Sequence, residues 1–249
     1  MNKDYQILKA DLASLGISRG DTVLIHSSYK SMGGIDGGIE TVVAALLSVL
    51  GDSGTLIAPT LTYSYVTVDK PVFDYVNTPS CVGAISEYIR LMDGAWRSIH
   101  PTHSCAAIGS KADYYIKDHD KDRTPVGENS PFRKLPEDGG KVLMLGCGNG
   151  CNTSVHGIEE MAGVSYLLSK EPSPYTIILP DITYEIDYRR HHITQNGYAQ
   201  RYSRLASLMD MKCGRVHGAE SYLIDARVMW DVGLRALKRD EFFFVEKKV

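Results

Sequence analysis

The sequence predicts an α/β fold with three layers, α/β/α, around a central mixed, largely parallel sheet. Two observations support this prediction. Residues 22–59 run in the order strand, glycine-rich loop, helix, strand, which is typical of parallel strands covered by helices. Residues 141–145 form the clearest buried strand and lead through a second glycine-rich turn into another helix. A chain of 249 residues suits one domain over 1–249.

The individual elements are predicted from hydrophobic spacing and from the residues that end each segment. Helices are predicted over 3–15, 39–50, 82–92 and 112–117, with another that begins near 152–154. Strands are predicted over 22–26, 54–59, 106–109 and 141–145, and sheet-edge alternation at 175–188 and 221–226. Residues 65–82 are predicted to form a loop, because they contain prolines and mixed charge.

Composition and charge exclude several functional classes. Apolar residues make up 43% of the chain, which is enough for a sizeable core. The formal net charge is −3 and no extended basic run is present, so we expect no nucleic-acid partner. No apolar stretch approaches the roughly 20 residues of a membrane helix, and no signal-peptide core is visible. Five cysteines, an odd number, are typical of reduced thiols, so we expect a cytoplasmic protein without membrane contact.

Three polar segments fall at the ends of predicted elements, where open α/β sheets gather their ligands. They are His26-Ser27-Ser28, residues 100–103 (His-Pro-Thr-His) and residues 152–156 (Asn-Thr-Ser-Val-His). The convergence of three such segments on one edge of the sheet is more informative than any one of them. The sequence therefore predicts a ligand site at this edge.

His156 is the candidate general base. Asn152 or Thr153 is expected to cap a helix, which places His156 in its first turns. The positive end of the helix dipole there disfavours the imidazolium form and keeps the ring able to accept a proton. Glu159, three residues later, lies on the same helical face and is expected to orient the ring. The alternative is a histidine that makes only local hydrogen bonds.

The glycine-rich segment 31–38 precedes a predicted helix. Glycines allow a bulky anion to approach the backbone, and a helix start offers free N–H groups, although an ordinary tight turn explains the segment equally well. Dinucleotide, P-loop and serine-hydrolase motifs are absent. The histidine and cysteine spacings match no zinc motif, and Pro101 argues against a helix that carries both His100 and His103. We therefore expect no metal.

Taken together, these segments resemble the aminoglycoside 3-N-acetyltransferase family, whose members depend on acetyl-coenzyme A. The resemblance runs in order through residues 26–28, 31–38, 51–60, 73–80, 83–87, 97–101, 104–109, 125–131, 145–146, 152–156 and 218–219. It implies an α/β/α fold and an acyltransferase that uses acetyl-coenzyme A as cosubstrate. The amine acceptor is expected to attack the thioester directly, without a covalent enzyme intermediate.

The resemblance also implies roles for individual residues. The family's histidine after Asn-Thr-Ser falls on His156 as the base, with Glu159 stabilising its charged form, and its early histidine falls on His26 in a supporting catalytic role. The residues expected to contact the donor are His26, Ser27, Ser28, Ser31, Met32, Gly33, Ile35, Gly37, Gly38, Arg97, Ser98, His100, Pro101, Thr102, His103 and Ser104. The residues expected to contact the acceptor are Tyr63, Asp74, Asn152, Glu185, Asp187, Arg189 and Arg190.

The acceptor is expected to be a small-molecule amine, on an aminosugar or an aminoglycoside, and a homodimer is a possible assembly. A polycationic aminoglycoside favours carboxylates, whereas the pair Arg189 and Arg190 suits the phosphate of a nucleotide-linked aminosugar for a surface polysaccharide. A solvated loop also explains that pair. Two other classes stay open: a metal-dependent hydrolase using His100, His103 and His156, and a non-catalytic coenzyme A-binding protein.

Overall fold

A computed structural model describes residues 2–248 and contains a central seven-stranded sheet. In spatial order its strands are β10 (Lys212–Val216), β11 (Ala219–Asp225), β6 (Lys141–Leu145), β1 (Thr22–Ser27), β2 (Thr55–Pro59), β5 (Cys105–Gly109) and β4 (Trp96–Arg97). Strand β1 pairs in parallel with β2 and β6, and the other four neighbouring pairs are antiparallel. The predicted mixed sheet is confirmed, with parallel pairing confined to its three central strands.

Helices cover both faces of this sheet. One face carries α1 (Lys3–Leu15), α2 (Gly38–Leu50) and α3 (Ala84–Arg90). The other carries α4 (Ala112–Ile116), α5 (Pro131–Glu137), α6 (Ser154–Ala162) and α7 (Ala226–Arg239). Side chains alternate across a strand, so Val23 and Ile25 of β1 pack into the first core and Leu24 into the second. The three-layer α/β/α prediction is therefore confirmed.

Two small sheets lie beside the central one. Strand β3 (Val72–Asp74) pairs in parallel with β7 (Ser173–Ile178), and β7 pairs antiparallel with β8 (Thr183–Tyr188). Strand β9 (Tyr198–Gln200) pairs with β12 (Val245–Lys247). The strands expected at 175–188 are present, but they form a separate sheet rather than an edge of the central one. The segment 65–82, predicted to be a loop, contains the short strand β3. The strand predicted at the sheet edge over 221–226 corresponds to β11, which is not an edge strand because β10 pairs with its outer side.

The topology brings several loops to one edge of the central sheet. Strands β1, β2 and β6 are parallel and end there, while β5 begins there, since Cys105 pairs with Pro59 in antiparallel register. The loops that follow β1, β2 and β6 therefore meet the segment that precedes β5. None of the helices within 2–248 is long and apolar enough to cross a membrane.

Candidate active site

A cavity of about 750 Å³ opens at this edge of the central sheet. Its wall includes the end of β1, the loops after β2 and β6, the segment before β5 and part of the chain between residues 190 and 202. The convergence predicted from the three polar segments is thus present. The predicted site residues that line the cavity are His26, Ser27, Tyr63, Thr102, His103, Asn152, His156 and Arg190.

His156 lies in the first turn of α6, which begins at Ser154. The side-chain oxygen of Asn152 accepts a hydrogen bond of 3.1 Å from the Ser154 N–H, whereas the Thr153 side chain makes no capping bond. Asn152 is fully buried and lines the cavity, so it fixes the start of the helix at the wall itself. The sequence reasoning that placed His156 at a helix start is confirmed.

The ring of His156 is held by a buried hydrogen-bond network. Its Nδ1 lies 3.1 Å from Glu159 Oε2 and 2.7 Å from the Tyr202 hydroxyl. The Tyr202 hydroxyl donates a hydrogen bond of 2.7 Å to Glu159 Oε2, and the Tyr166 hydroxyl donates one of 2.7 Å to Oε1. Because the Tyr202 proton is donated to Glu159, the Tyr202 oxygen accepts from His156 Nδ1–H. The lone pair of the His156 ring is then on Nε2. That nitrogen lies 3.3 Å from Gln200 Nε2.

Glu159 is the buried carboxylate at the centre of this network. Its side chain has no exposed surface, and both of its oxygens accept hydrogen bonds. Burial, followed by the charge of Glu159, raises the pKa of Tyr166 and of Tyr202, so both hydroxyls stay protonated and donate. A buried carboxylate that is fully hydrogen-bonded beside an imidazole stabilises the positive charge that the ring gains on accepting a proton.

Neutral imidazoles lie next to His156. The rings of His156 and His191 are 4.3 Å apart between centroids, and those of His191 and His103 are 4.8 Å apart. Burial lowers the pKa of His103 and of His191 well below their ordinary value, so both are uncharged at neutral pH. His191 Nε2 lies 2.8 Å from Glu160, whose pKa burial raises to about 6. The cavity can therefore accept a protonated His156 without repulsion from these rings.

His26 occupies the end of β1 on the cavity wall. Burial lowers its pKa to about 3, and its Nε2 is buried without a hydrogen-bond partner in the described part of the chain. A buried polar atom without a partner is rare in folded proteins. Its position on the wall makes a ligand atom the natural partner.

Comparison with known proteins gives the family. A family model described as aminoglycoside 3-N-acetyltransferase matches residues 24–238. Aminoglycoside N(3)-acetyltransferase VII of Streptomyces paromomycinus is 32% identical to the chain, covering 91% of this chain and 88% of that protein. The chain belongs to the aminoglycoside 3-N-acetyltransferase family. It is therefore an acyltransferase, and acetyl-coenzyme A is its cosubstrate.

Solved structures of this family have the same fold. AAC-IIIb, solved in a binary complex with CoASH, superposes with a TM-score of 0.81 at 26% identity, over 94% of this chain and 96% of that chain. A histidine-to-alanine variant of AAC(3)-IVa, solved in complex with a gentamicin, gives 0.83 at 29% identity, over 96% and 90%. The predicted family membership, fold and donor are thus confirmed.

Of the predicted donor contacts, those in the turn after β1 lie outside the wall of this cavity. The Ser31 hydroxyl donates to the carbonyls of Ser28 and Gly146, at 2.8 and 2.7 Å, which joins the loops after β1 and β6. No heavy atom lies within 4 Å of a Cβ placed on Gly33, so the backbone there is open to approach. The other predicted contacts of this turn are Met32, Ile35, Gly37 and Gly38.

Several residues of the predicted segment 97–104 are packed inside the protein. The buried guanidinium of Arg97 donates to the carbonyls of Tyr75 and Thr78, both at 2.8 Å, and to the Ser104 hydroxyl at 3.1 Å. Burial lowers the pKa of Arg97 to about 10. These bonds attach the chain after β3 to the central sheet. Ser98, His100 and Pro101 also lie outside the cavity wall, whereas Thr102 and His103 form part of it.

Of the predicted acceptor contacts, some line the cavity and the others lie outside its wall. Tyr63, Asn152 and Arg190 line the cavity. The carboxylate of Asp74 instead accepts hydrogen bonds from the N–H groups of Val76 and Asn77, at 3.0 and 2.8 Å. Two further carboxylates and one guanidinium lie outside the wall: Glu185 and Asp187 on the exposed side of β8, and Arg189, which donates to the Ser169 carbonyl at 2.8 Å.

Sequence reasoning missed Tyr202, Gln200 and Tyr166. Tyr202 and Gln200 reach His156 across 46 and 44 residues of sequence, and no spacing rule connects them. Sequence reasoning also assigned no catalytic role to His191. Within the described ranges, no group of three or more His, Cys, Asp or Glu side chains is arranged to hold a metal ion.

Proposed function

We propose that this enzyme transfers the acetyl group of acetyl-coenzyme A to an amine of an aminosugar or aminoglycoside, with His156 as general base. The observation that carries the proposal is the His156–Glu159–Tyr202 network, which holds Nδ1 inside the protein and leaves Nε2 beside the amide of Gln200, another residue of the cavity wall. AAC(3)-IVa, a relative, binds a gentamicin, which supports an acceptor of this class.

The reaction follows from this geometry. An amine is mostly protonated at neutral pH and attacks a thioester only after losing a proton. His156 Nε2 takes that proton, and Glu159 stabilises the imidazolium; general-base catalysis of this kind contributes about 10²–10⁴-fold. The amine nitrogen then forms a bond to the thioester carbon, and the carbon–sulfur bond breaks. The nitrogen loses its second proton, and the coenzyme A thiolate takes up a proton and leaves as the thiol.

Direct transfer is the simpler route in this cavity. The lining cysteines, Cys81 and Cys151, make no hydrogen bond to His156 in the described part of the chain. Burial raises the pKa of Cys147 to about 12, and it also raises the pKa of Cys105, so both stay protonated thiols. A protonated thiol without a neighbouring base is a weak nucleophile. We therefore assign no covalent intermediate.

The donor is proposed to enter where β1 ends. The unpartnered Nε2 of His26 and the open backbone at Gly33 fit a ligand that carries a carbonyl and phosphates. We assign His26 a supporting role, in which its neutral ring contacts the donor. The Ser104 hydroxyl, one candidate for stabilising the oxyanion, is already bonded to Thr60 and Arg97 and does not line the cavity. The homodimer stays a prediction.

The test is thiol release from acetyl-coenzyme A in the presence of a panel of amines. We expect His156→Ala to lower kcat by about 10²–10⁴-fold, because the base is removed, while the protein stays folded because Glu159 keeps its hydrogen bonds from Tyr166 and Tyr202. His192→Gln is the matched control, since His192 is adjacent to the cavity wall in sequence but does not line it. Near-wild-type turnover by His156→Ala would overturn the mechanism, and donor binding without thiol release for any amine would indicate a non-catalytic protein.

A further inference from the structure

We propose that the acceptor is an amine that also carries an anionic oxygen group, a phosphate or a carboxylate, and that Arg190 binds this group. The inference rests on the proposed function and specifies its acceptor. It follows from the charge of the cavity wall, from the state of the nearby carboxylates and from the surroundings of Arg190.

The cavity wall offers no carboxylate to a polycation. Among residues 2–248, those that line the cavity include no aspartate and no glutamate. The lining side chains that can carry positive charge are histidines and Arg190, and burial keeps His26, His103 and His191 neutral by lowering their pKa values. An aminoglycoside carries several ammonium groups, and each loses hydration on entering a cavity, a cost that a paired carboxylate would offset. This wall does not provide such partners.

Two buried carboxylates close to the cavity, those of Glu159 and Glu160, already bind other groups of the protein. Glu159 has no exposed surface and binds His156 and two tyrosines. Glu160 accepts from the Val126 N–H at 2.9 Å and contacts His191 at 2.8 Å, with 8% of its side chain exposed. Neither one is free to bind a second cation from the ligand.

Arg190 is a guanidinium on the wall without a protein partner. Its backbone is fixed by Ser169, whose hydroxyl accepts from the Arg190 N–H at 3.2 Å and whose N–H donates to the Arg190 carbonyl at 2.8 Å. Its side-chain Nε is buried without a hydrogen-bond partner, and Arg190 forms no ion pair within the described part of the chain. Other arginines of the chain, such as Arg97 and Arg189, have their donors satisfied by carbonyl groups.

A guanidinium fork matches the oxygens of a phosphate or carboxylate with two parallel hydrogen bonds. Arg190 lines the same cavity as His156, so an anion bound by Arg190 would share that cavity with the general base. The cavity, of about 750 Å³, has room for a monoamine of sugar size that contacts both side chains.

The experiment compares amine acceptors of different charge. Thiol release is measured with glucosamine, glucosamine 6-phosphate, UDP-glucosamine, muramic acid and gentamicin at fixed acetyl-coenzyme A. We expect the anionic aminosugars to have a higher kcat/KM than glucosamine, and gentamicin to be the poorest acceptor. The phosphorylated and carboxylated arms show which anion the site prefers.

Variants identify the residue. We expect Arg190→Gln to raise KM for the preferred anionic acceptor by about tenfold to a hundredfold, because charge-assisted hydrogen bonds are lost. KM for glucosamine and for acetyl-coenzyme A should stay unchanged, and Arg190→Lys should give an intermediate effect. Lys170→Gln removes the same charge from an exposed position next to Ser169 and should change nothing.

The outcomes separate this inference from the proposed function. Thiol release with gentamicin that exceeds release with every anionic aminosugar would overturn the inference while leaving the acetyltransferase intact. An equal rise of KM for acetyl-coenzyme A in Arg190→Gln would also overturn it, since the guanidinium would then serve the donor's phosphates. Absence of thiol release with every amine would contradict the proposed function itself.

Discussion

At the scale of single residues, the candidate site depends on how two oxygens of one carboxylate are shared. Glu159 Oε2 binds His156 and Tyr202, whereas Oε1 binds Tyr166. Both tyrosines therefore stabilise the same charge, but the Tyr202 oxygen alone also contacts the imidazole, at 2.7 Å from Nδ1. This difference makes Tyr202 a positioning residue for the base and Tyr166 a support for the carboxylate.

The two tyrosines provide a matched pair of variants. We expect Tyr202→Phe to lower kcat by about tenfold to a hundredfold, since a hydrogen bond to a charged group contributes about 1.5–3 kcal/mol. Tyr166→Phe should destabilise the fold to a similar extent but lower kcat by less. Steady-state kinetics and urea unfolding of both variants give the comparison. If kcat falls equally in both, Tyr202 acts only through stability.

The sequence allowed half of this network to be predicted. His156 and Glu159 share a helical face at a spacing of three residues, and the helix start follows from Asn152. Tyr202 comes from a 3₁₀ turn far along the chain, and its position depends on the packing of the whole domain. A hydrogen bond over such a separation leaves no periodic signal in one sequence.

At the scale of elements, the base depends on how closely α6 approaches α7. A Cβ added to Gly157, the residue after His156, would lie 2.6 Å from Trp230 on α7 and 2.6 Å from Val126. Gly157 is therefore required for the approach of the two helices rather than for its backbone angles. Helix α6 carries the base, so its distance from α7 sets where the imidazole stands in the cavity.

Substitution of this glycine tests the coupling between packing and catalysis. We expect Gly157→Ala to destabilise the protein by about 1–3 kcal/mol through overpacking. It should also lower kcat by up to about a hundredfold, because a shift of about 1 Å at a catalytic group has an effect of that size. Gly148→Ala is the control, since its Cβ would meet no atom within 4 Å. Unchanged kcat in Gly157→Ala would show that α6 adjusts without moving His156.

The elements that sequence analysis missed share a physical cause. The three-residue strand β3 pairs with β7 across about a hundred residues of sequence, and Pro71 precedes it, so residues 65–82 were predicted to be a loop. Strand β9 depends likewise on β12 near the end of the chain. Such short strands are stabilised by partners that are distant in sequence, whereas β1 and β6 are identified by their own apolar runs.

At the scale of the whole molecule, buried histidines set how the protein responds to acid. Burial lowers the pKa values of His26, His100, His103, His119 and His191, two of them (His26 and His119) to about 3. In the unfolded chain a histidine has a pKa of about 6.5. The unfolded state therefore binds more protons than the folded state at a pH between the folded pKa value of each ring, about 3 for His26 and His119, and about 6.5. Stability is fully present above that pH and falls as the pH falls.

Two carboxyl groups act in the opposite direction. Burial raises the pKa of Asp122, and it raises the pKa of Glu160 from 4.5 to about 6. The stability that these two groups contribute is fully present below the pKa values they have in the unfolded chain. It is lost as the pH rises through the pKa values they have in the folded protein. For Glu160 that window lies between 4.5 and about 6, so it offsets a part of the histidine effect.

We expect the free energy of unfolding to fall steeply between pH 6.5 and pH 5.5. His26 and His119, whose pKa values burial lowers to about 3, should each remove about 1 kcal/mol over that interval. His100, His103 and His191 act in the same direction, and Glu160 offsets a part of the sum. Urea unfolding at pH 7.5, 6.5 and 5.5, at constant ionic strength, measures this loss.

A single buried histidine away from the cavity provides the control for this pH dependence of the unfolding free energy. His119 has no exposed surface and its Nδ1 lies 2.9 Å from the Ser98 hydroxyl, a contact that a glutamine can replace. We expect His119→Gln to reduce the loss of unfolding free energy between pH 6.5 and pH 5.5 by about 1 kcal/mol, whatever its effect on stability at pH 7.5. A free energy of unfolding that is flat from pH 7.5 to 5.5 would mean that these rings are protonated in the folded protein. The neutral wall around His156 would then be wrong as well.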